Sequence, residues 1–274
     1  MLGAALGVRL ARTHIPTAIL RRKVFRMIYG RKYEALDETE LEKPLEDYTS
    51  LNELFTRGVR HGLRTIPERT DLLLSPVDGT VQDIGQLEQD TVMTVKGVRY
   101  TLNSLCPDTD TTAYENGHFA ILFLSPRDCH RVFAPADGIL KRMVHVPGNR
   151  LLVHPEHQSP EFPVFALNER LVMQLDTRLG RCLLVLVAGW GVGNITHPFP
   201  VGMRFSPRRV TTTRVDPMRT VSRAEWIATF ELGSTVILIA EQSCASTSIV
   251  TVNDSVHYGQ PLFNTINESD SAEP

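Results

Sequence analysis

Cys182-Leu183-Leu184-Val185-Leu186-Val187-Ala188 and Val236-Ile237-Leu238-Ile239-Ala240 are the two stretches that decide the fold. Each is a short apolar run of β-favouring residues, the pattern of a β-strand. Similar runs bounded by glycine and proline recur along the chain at 80–84, 92–95, 119–124, 138–146, 170–175 and 229–231. Their spacing predicts an α+β fold with a mainly antiparallel β body, sandwich-like or barrel-like, preceded by N-terminal amphipathic helices.

The first 33 residues are strongly basic. They contain no acidic residue, and their basic residues are Arg9, Arg12, Arg21, Arg22, Lys23, Arg26, Arg31 and Lys32. These charges interrupt the apolar residues, so no stretch is long enough to span a bilayer, and the order does not fit a secretory signal. Two interpretations remain open: a cationic helix lying in the interface of an anionic membrane, or a helix packed on the body with its arginines in solvent.

A second helical segment precedes the β body. Thr49 or Ser50 can cap a helix whose apolar residues follow at helical spacing and which ends near Arg57. The tail is acidic and lacks large apolar residues, which predicts disorder. The expected parts of the chain are a basic, membrane-associating helical segment (1–68), a β-rich domain (69–266) and the disordered tail (267–274).

Composition excludes several classes of protein. With 42% hydrophobic residues and a formal net charge of -2, the chain is neither a disordered protein nor a strongly basic nucleic-acid binder. Cys106, Cys129, Cys182 and Cys244 form no CxxC pair, which argues against a zinc cluster or a dense disulfide framework, and we expect no metal site. Cys182 fits a buried apolar position, and a reducing cytoplasm is the simplest compartment.

Two Asp-Gly steps lie in similar surroundings, in Pro76-Val77-Asp78-Gly79 and Pro135-Ala136-Asp137-Gly138. Both predict tight hairpin turns, because Asp-Gly favours turns that need a positive φ. As turns they say nothing about chemistry.

Three segments, taken together, go beyond the signals of turns and core. In chain order they are Ser75-Pro76-Val77-Asp78-Gly79-Thr80-Val81, Leu124-Ser125-Pro126-Arg127-Asp128-Cys129-His130-Arg131-Val132 and Phe230-Glu231-Leu232-Gly233-Ser234-Thr235-Val236-Ile237. With the segments 48–57, 165–170, 192–195 and 259–262 around them, they resemble the phosphatidylserine decarboxylase family from about residue 48 to residue 262. The segment before Tyr48 is similar only in character.

The resemblance implies a proenzyme that cuts its own backbone between Gly233 and Ser234. Glycine allows the backbone twist by which the serine hydroxyl attacks the preceding carbonyl. β-Elimination of the resulting ester and hydrolysis of the dehydroalanine leave a covalent pyruvoyl group at residue 234 and two fragments, 1–233 and 234–274. This keto group can condense with the substrate amine and accept the electrons released as carbon dioxide leaves, so no dissociable cofactor is required.

The resemblance also assigns roles to side chains. Asp78 matches the aspartate used in maturation, His130 matches the histidine of the decarboxylation step, and Thr235 completes the triplet at the cut. Without the resemblance, Asp78 fits the first half of a hairpin turn, and His130 fits a histidine at a strand end with one structural hydrogen bond.

The sequence departs from the family at one position that bears on self-cleavage. The family motif continues from the first histidine to a second one three residues later, which serves as base, and this chain has Phe133 there. Phenylalanine cannot accept a proton. Cleavage could use another histidine, could be slow, could use Asp78 alone, or could fail altogether. The candidates for a replacement imidazole are His118, His145, His154 and His197.

Two further departures concern the residues that line the site. Leu151-Leu152-Val153-His154 replaces a more polar stretch of the family, and Trp226 stands where the family carries a glutamate. From these changes we expect the pocket to accept a substrate with a different head group.

Three functions are compatible with these observations. The favoured one is conversion of phosphatidylserine to phosphatidylethanolamine by a pyruvoyl enzyme held at the cytoplasmic face of an anionic membrane by its basic start, and the family's tendency to dimerise implies a homodimer. The second is a soluble decarboxylase of a free amino acid. The third, motivated by Phe133, is a non-cleaving, non-catalytic member that acts as a lipid-binding module.

Overall fold

The computed structural model describes residues 9–32, 35–88, 92–95, 97–154, 162–190, 195–199, 206, 208–231 and 234–265. The side chains of residues 31, 32, 92–95, 216 and 217 are outside this description. The predicted cleavage residue Gly233, most of the 192–195 segment, the predicted tail 267–274 and the first eight residues also lie outside the described residues.

The described part of the chain contains sixteen strands and four complete α-helices. The helices are α1 (Ala18–Lys32), α2 (Leu51–Phe55), α3 (Leu102–Leu105) and α4 (Val164–Leu167). The first eight strands are β1 (Leu72–Leu74), β2 (Gly79–Gln86), β3 (Val92–Val95), β4 (Val98–Thr101), β5 (His118–Leu124), β6 (Arg131–Phe133), β7 (Gly138–Val146) and β8 (Arg170–Thr177). The second eight are β9 (Gly180–Ala188), β10 (Ile195–Thr196), β11 (Thr211–Val221), β12 (Trp226–Phe230), β13 (Ser234–Ala240), β14 (Thr247–Ser248), β15 (Ser255–Val256) and β16 (Pro261–Asn264).

The helical front end has its own small core. Phe25 and Tyr29 of α1 are buried against Leu41, Leu45 and Tyr48. The helix α2 begins as predicted: Ser50 accepts a hydrogen bond from the Glu53 amide, and the Glu53 carboxylate accepts one from the Thr49 amide, so two otherwise unpaired amides are satisfied. The helix ends at Phe55, slightly earlier than expected. The division of the chain at residue 68 stays a prediction.

An eight-stranded sheet in the order β11-β7-β8-β9-β13-β5-β2-β15 forms the centre of the molecule. Neighbouring strands are antiparallel throughout this sheet, which confirms the predicted α+β fold with a mainly antiparallel body. The two apolar stretches that open the sequence argument form the adjacent strands β9 and β13, both almost completely buried. They lie at the middle of the sheet because both of their faces carry apolar side chains, and exposing either face to water would lower the stability of the protein.

The large sheet is covered on both faces, as in a sandwich. Side chains alternate between the faces, so Val236 and Leu238 point into one core, and Ile237 and Ile239 point into the other. The first core is closed by the three-stranded sheets β1-β16-β14 and β10-β12-β6. The second is closed by the β3-β4 hairpin and the short helices α3 and α4.

The predicted hairpin turns at the two Asp-Gly steps are wrong. Each step carries the chain from a small sheet to the large one, β1 to β2 and β6 to β7, and neither Gly79 nor Gly138 has a positive φ. Glycine is needed for space instead. A Cβ on Gly79 would lie 2.4 Å from the carbonyl oxygen of Phe123, and one on Gly138 would lie 2.5 Å from that of Asp176.

The first helix α1 is too short and too polar to cross a bilayer, and the same holds for the other helices among the described residues. The four cysteines are free thiols, and all are buried.

Candidate active site

Ser234 lies at the middle of one end of the large sheet. It is the first residue of β13, and it pairs with Leu124, the last residue of β5, and with Ala188, the last residue of β9. Its side chain is completely buried, and its Oγ has no hydrogen-bond partner among the described atoms. The neighbouring Thr235 Oγ1 is equally buried and unpartnered within the described structure. Buried hydroxyls without partners are rare, because each loses its hydrogen bonds to water.

Asp78 reaches the same end of the sheet from the other side of β5. Its successor Gly79 begins β2 beside Leu124, so Asp78 and Ser234 approach β5 from opposite sides. Two strand spacings, about 10 Å between backbones, separate the two residues. The hydroxyl of Ser234 is therefore close to the loop of Asp78 but makes no hydrogen bond to its carboxylate.

The carboxylate of Asp78 is buried and charged. Burial alone would raise its pKa, but His257, Arg64 and the amide of Tyr258 outweigh burial and hold the pKa below its ordinary value. Arg64 donates to both carboxylate oxygens, with Nη2 2.6 Å from Oδ2, and the Tyr258 amide donates to Oδ1 over 2.8 Å. Arg64 also donates to Glu40, and these two acids raise its pKa against the opposing effect of burial.

His130 ends the loop that follows β5. Asp128 holds this loop by accepting a hydrogen bond from the Ser125 amide, and burial raises the pKa of Asp128. The imidazole of His130 is fully buried, with its ring centroid 3.8 Å from that of Phe55, and burial lowers its pKa to about 3. Since Nδ1 lies 3.0 Å from the carbonyl oxygen of Asp128, that nitrogen carries the proton. The other nitrogen, Nε2, is an acceptor without a partner among the described atoms.

Comparison with known proteins places this arrangement in a family. The family model described as phosphatidylserine decarboxylase matches residues 51–264. Three relatives carry the name phosphatidylserine decarboxylase proenzyme. That of Methylibium petroleiphilum is 38% identical and covers 83% of this chain and 79% of its own length. That of Marinobacter nauticus is 34% identical, covering 81% and 79%, and that of Pasteurella multocida is 32% identical, covering 86% and 82%.

This chain belongs to the phosphatidylserine decarboxylase family. The resemblance seen in the motifs is confirmed, and the chain is an enzyme of this kind. The roles of individual side chains rest on their surroundings, since no comparison assigns them.

At position 133 this decarboxylase has an aromatic ring stacked on a second aromatic ring, where the family has a histidine. Phe133 donates its amide proton to the carbonyl oxygen of Pro76, in the Asp78 loop, and its ring stacks on Tyr258 with centroids 3.7 Å apart and an angle of 13° between the planes. The ring is therefore next to the residue whose amide holds Asp78.

The four histidines predicted as replacement bases are spread over the decarboxylase. His118 begins β5 and lies six residues from Leu124, about 20 Å along the strand. His145 pairs with Glu169 over 3.0 Å, His154 contacts the ring of Phe123, and His197 stacks on Phe199. None of these described contacts joins an imidazole to Asp78 or Ser234.

His257 is the histidine that the sequence argument missed. Its Nδ1 lies 3.8 Å from Oδ1 of Asp78, and the carboxylate raises the pKa of the imidazole against the effect of burial. No family motif or metal spacing surrounds it in the sequence. Only the pairing of β15 with β2, which sets Val256 opposite Gly79, brings it to Asp78.

The residues predicted to change the lining of the site differ in their exposure to solvent. Trp226 is partly exposed and packs under the guanidinium of Arg131, while its Nε1 donates to the carbonyl oxygen of Ala228. Leu152 is exposed and Val153 is buried.

Proposed function

We propose that this enzyme is a proenzyme that cleaves itself between Gly233 and Ser234 and then decarboxylates phosphatidylserine to phosphatidylethanolamine with the pyruvoyl group formed at residue 234. The observation that carries the proposal is the Ser234 hydroxyl. It is completely buried, unpartnered among the described atoms, and set at the strand end where the loops of Asp78 and His130 meet. A structural serine at such a position would be expected to hydrogen-bond.

The surroundings of Ser234 fit a covalently attached keto group. Ser234 Oγ and His130 Nε2 are buried polar atoms that the described structure leaves without partners, and Thr235 Oγ1 is a third, on the opposite face of β13. A bound pyruvoyl group supplies an electron sink for the pair of electrons released from the substrate carboxylate. Burial strengthens each electrostatic contact to that group, because little water competes.

His130 is suited to moving a proton at Nε2. Because Nδ1 donates to the Asp128 carbonyl and the ring is neutral, Nε2 presents a lone pair. It can therefore accept a hydrogen bond at the reacting atoms and, when protonated, donate a proton to carbon after carbon dioxide leaves. The depressed pKa makes the protonated ring a strong acid and the neutral ring a weak base, which favours the donor role.

Asp78 is suited to the maturation step. A carboxylate that keeps its charge while buried can accept a proton. The strand that follows its loop, β2, pairs with β5 on one side, and the strand of Ser234, β13, pairs with β5 on the other. Arg64 and the Tyr258 amide fix both carboxylate oxygens, so the group is oriented before any reaction occurs.

The mass of the purified chain tests the proposal. We expect two fragments, 1–233 and 234–274, and a ketone on the smaller one that reacts with a carbonyl-capture reagent. Ser234→Ala should leave the chain intact, whereas the matched control Ser248→Ala, at an exposed position of β14, should be cleaved like the parent. An unbroken, carbonyl-free parent would overturn the proposal in favour of a non-catalytic lipid-binding member.

We also propose that the enzyme is peripheral, at the cytoplasmic face of an anionic membrane, with 1–68 as its contact. Ile19, Leu20 and Met27 of α1, here called the α1 stripe, are exposed, at 73%, 44% and 50%. They lie on one side of the helix, opposite Phe25 and Tyr29, and Lys23 stands among them. Arg22 and Arg26 are paired with Glu46 and Glu38, so part of the basic charge serves the fold.

The substrate class can be tested independently of self-cleavage. Cleaved enzyme should release carbon dioxide from phosphatidylserine in vesicles and should float with them. Turnover of free serine by cleaved enzyme that does not float would favour the soluble amino-acid decarboxylase instead. Light scattering on the same sample tests the proposed homodimer.

A further inference from the structure

The carboxylate of Asp78 has an imidazole partner of its own. The described residues contain two ion pairs between a histidine and a carboxylate, His145–Glu169 and His257–Asp78. In the first, His145 is on β7 and Glu169 directly precedes β8, where its carbonyl oxygen accepts a hydrogen bond from the amide of Ala188, a strand partner of Ser234. The second includes Asp78, on the loop that joins β2 next to Leu124, the strand partner of Ser234. The second pair is the one that includes Asp78, the aspartate that the resemblance assigns to maturation, and its imidazole is on the turn whose amide binds that carboxylate.

A tight turn fixes His257 against Asp78. The Gln260 amide donates to the His257 carbonyl oxygen, and Gly259 has a φ of +83°, as a type II turn requires of its third residue. Within this turn the Tyr258 amide holds Asp78, and the Gly259 amide donates to the Ser75 carbonyl oxygen. Two hydrogen bonds donated by backbone amides, one to the Asp78 carboxylate and one to the Ser75 carbonyl oxygen, thus tie the histidine turn to the loop that carries Asp78.

The stack of Phe133 on Tyr258 closes the space beside this turn. The Phe133 ring stacks on Tyr258, the residue that follows His257. His257 and the Tyr258 amide both contact the Asp78 carboxylate. The sequence lacks a proton acceptor at 133, and the structure supplies one at 257.

We infer that His257 and Asp78 together take up the proton of the Ser234 hydroxyl during self-cleavage, with His257 as a positioning residue that acts through Asp78. The inference rests on the proposed self-cleavage and names the group that replaces the imidazole missing at position 133. The His257 side chain is 54% exposed and Ser234 is fully buried, so in this proposal the proton reaches the imidazole by way of the Asp78 carboxylate.

The chemical balance is as follows. The Ser234 proton moves to the His257–Asp78 pair as Oγ bonds to the carbonyl carbon of Gly233, and the C–N bond breaks with return of that proton to nitrogen. The pair then removes the Cα proton of residue 234 while the Cβ–Oγ bond breaks and Gly233 leaves as a carboxylate. One water hydrolyses the remaining enamine to the ketone and releases ammonia.

Charged groups around the imidazole set its protonation. Asp78 favours the protonated ring most strongly, Glu40 favours it weakly, and Arg64 and burial oppose it. A pair that must accept a proton works only when the imidazole is neutral. Cleavage should therefore slow as pH falls through the pKa of His257, which lies above its ordinary value of 6.5.

Cleavage kinetics of newly made protein test the inference. The chain is synthesised in a cell-free extract with labelled cysteine, which marks both fragments because Cys244 lies in the shorter one and three cysteines lie in the longer. We expect His257→Gln to cleave roughly 10- to 100-fold more slowly than the parent and to lack the acid limb of its pH profile. The control His61→Gln, at an exposed position, should match the parent.

Rescue separates a proton-accepting role from a structural one. Phe133→His in the His257→Gln background returns an imidazole beside Asp78 and should recover most of the lost rate. A His257→Gln chain that cleaves within about twofold of the parent, with an unchanged pH profile, would overturn the inference and leave the proposed self-cleavage intact. Slow cleavage without rescue and without a change in pH profile would also overturn it. A parent chain that never cleaves defeats the proposed function itself.

Discussion

Arg64 and Asp78 form an ion pair that is almost wholly removed from water. Nη2 of Arg64 lies 2.6 Å from Oδ2 of Asp78, and each side chain is only 5% exposed. The pair ties the segment between α2 and β1, which carries Arg64, to the loop between β1 and β2, which carries Asp78. Removing one partner leaves a buried charge without compensation, which is far more costly than losing an exposed pair.

Replacing Arg64 by methionine should therefore destabilise the protein strongly. We expect a loss of about 3 kcal/mol or more in the free energy of unfolding, measured by urea denaturation in the Ser234→Ala background so that the chain stays intact. Arg69→Met is the matched control, since Arg69 pairs with Asp71 on the surface at 62% exposure, and it should leave the free energy of unfolding nearly unchanged. Equal losses for the two variants would contradict this account.

The strands that sequence reasoning located are those with strong local signals. Val92–Val95 and Gly138–Val146 have the predicted bounds, and β9 and β13 differ from prediction only at their first residues. The long strand β11 was missed because its threonines and arginines show no apolar alternation. Short edge strands such as β14 and β15 are set by their neighbours in space, which the sequence does not display.

The site could be predicted only in part. Asp78 and His130 are identifiable through motifs, but the partners of Asp78 come from positions far away in the chain. Arg64 and His257 are separated from Asp78 by 14 and by about 180 residues, and only strand pairing and a type II turn bring them together. The Asp-Gly hairpin prediction failed for a related reason, because a close approach to the next strand, and not a positive φ, requires glycine at position 79.

Gly79 should tolerate no side chain. Its Cβ would lie 2.4 Å from the backbone oxygen of Phe123, which cannot move without shifting β5. We expect Gly79→Ala to lower the free energy of unfolding by about 2 kcal/mol or more. Gly85→Ala in the same strand is the control: its Cβ would meet only the Phe119 ring at 3.6 Å, so stability should stay the same or rise slightly. If both variants were neutral, the close approach at Gly79 would be disproved.

Burial of His130 should make the protein acid-sensitive. Its pKa is about 3 in the folded protein against about 6.5 when unfolded, so between these values the unfolded chain binds more protons and stability falls as pH falls. At pH 5 the loss from this group alone is about 2 kcal/mol relative to pH 7. In the Ser234→Ala background, His130→Gln should show a correspondingly smaller loss over this interval, and His61→Gln should behave like the parent. A loss in His130→Gln equal to that of the parent would show that the imidazole is not buried in its neutral form.

The α1 stripe should control membrane binding. Transferring Ile19 and Met27 from water into the bilayer interface contributes roughly 2 kcal/mol together, since each is already partly covered by the protein. Ile19→Gln combined with Met27→Gln should therefore weaken binding to phosphatidylserine-containing vesicles about 30-fold in a sedimentation assay, without loss of helix. Ile249→Gln combined with Val252→Gln removes exposed apolar surface outside 1–68 and should bind like the parent. Equal weakening by the two double variants would place the contact outside α1. A binding affinity that does not change with ionic strength would exclude a contribution from Lys23 and its basic neighbours.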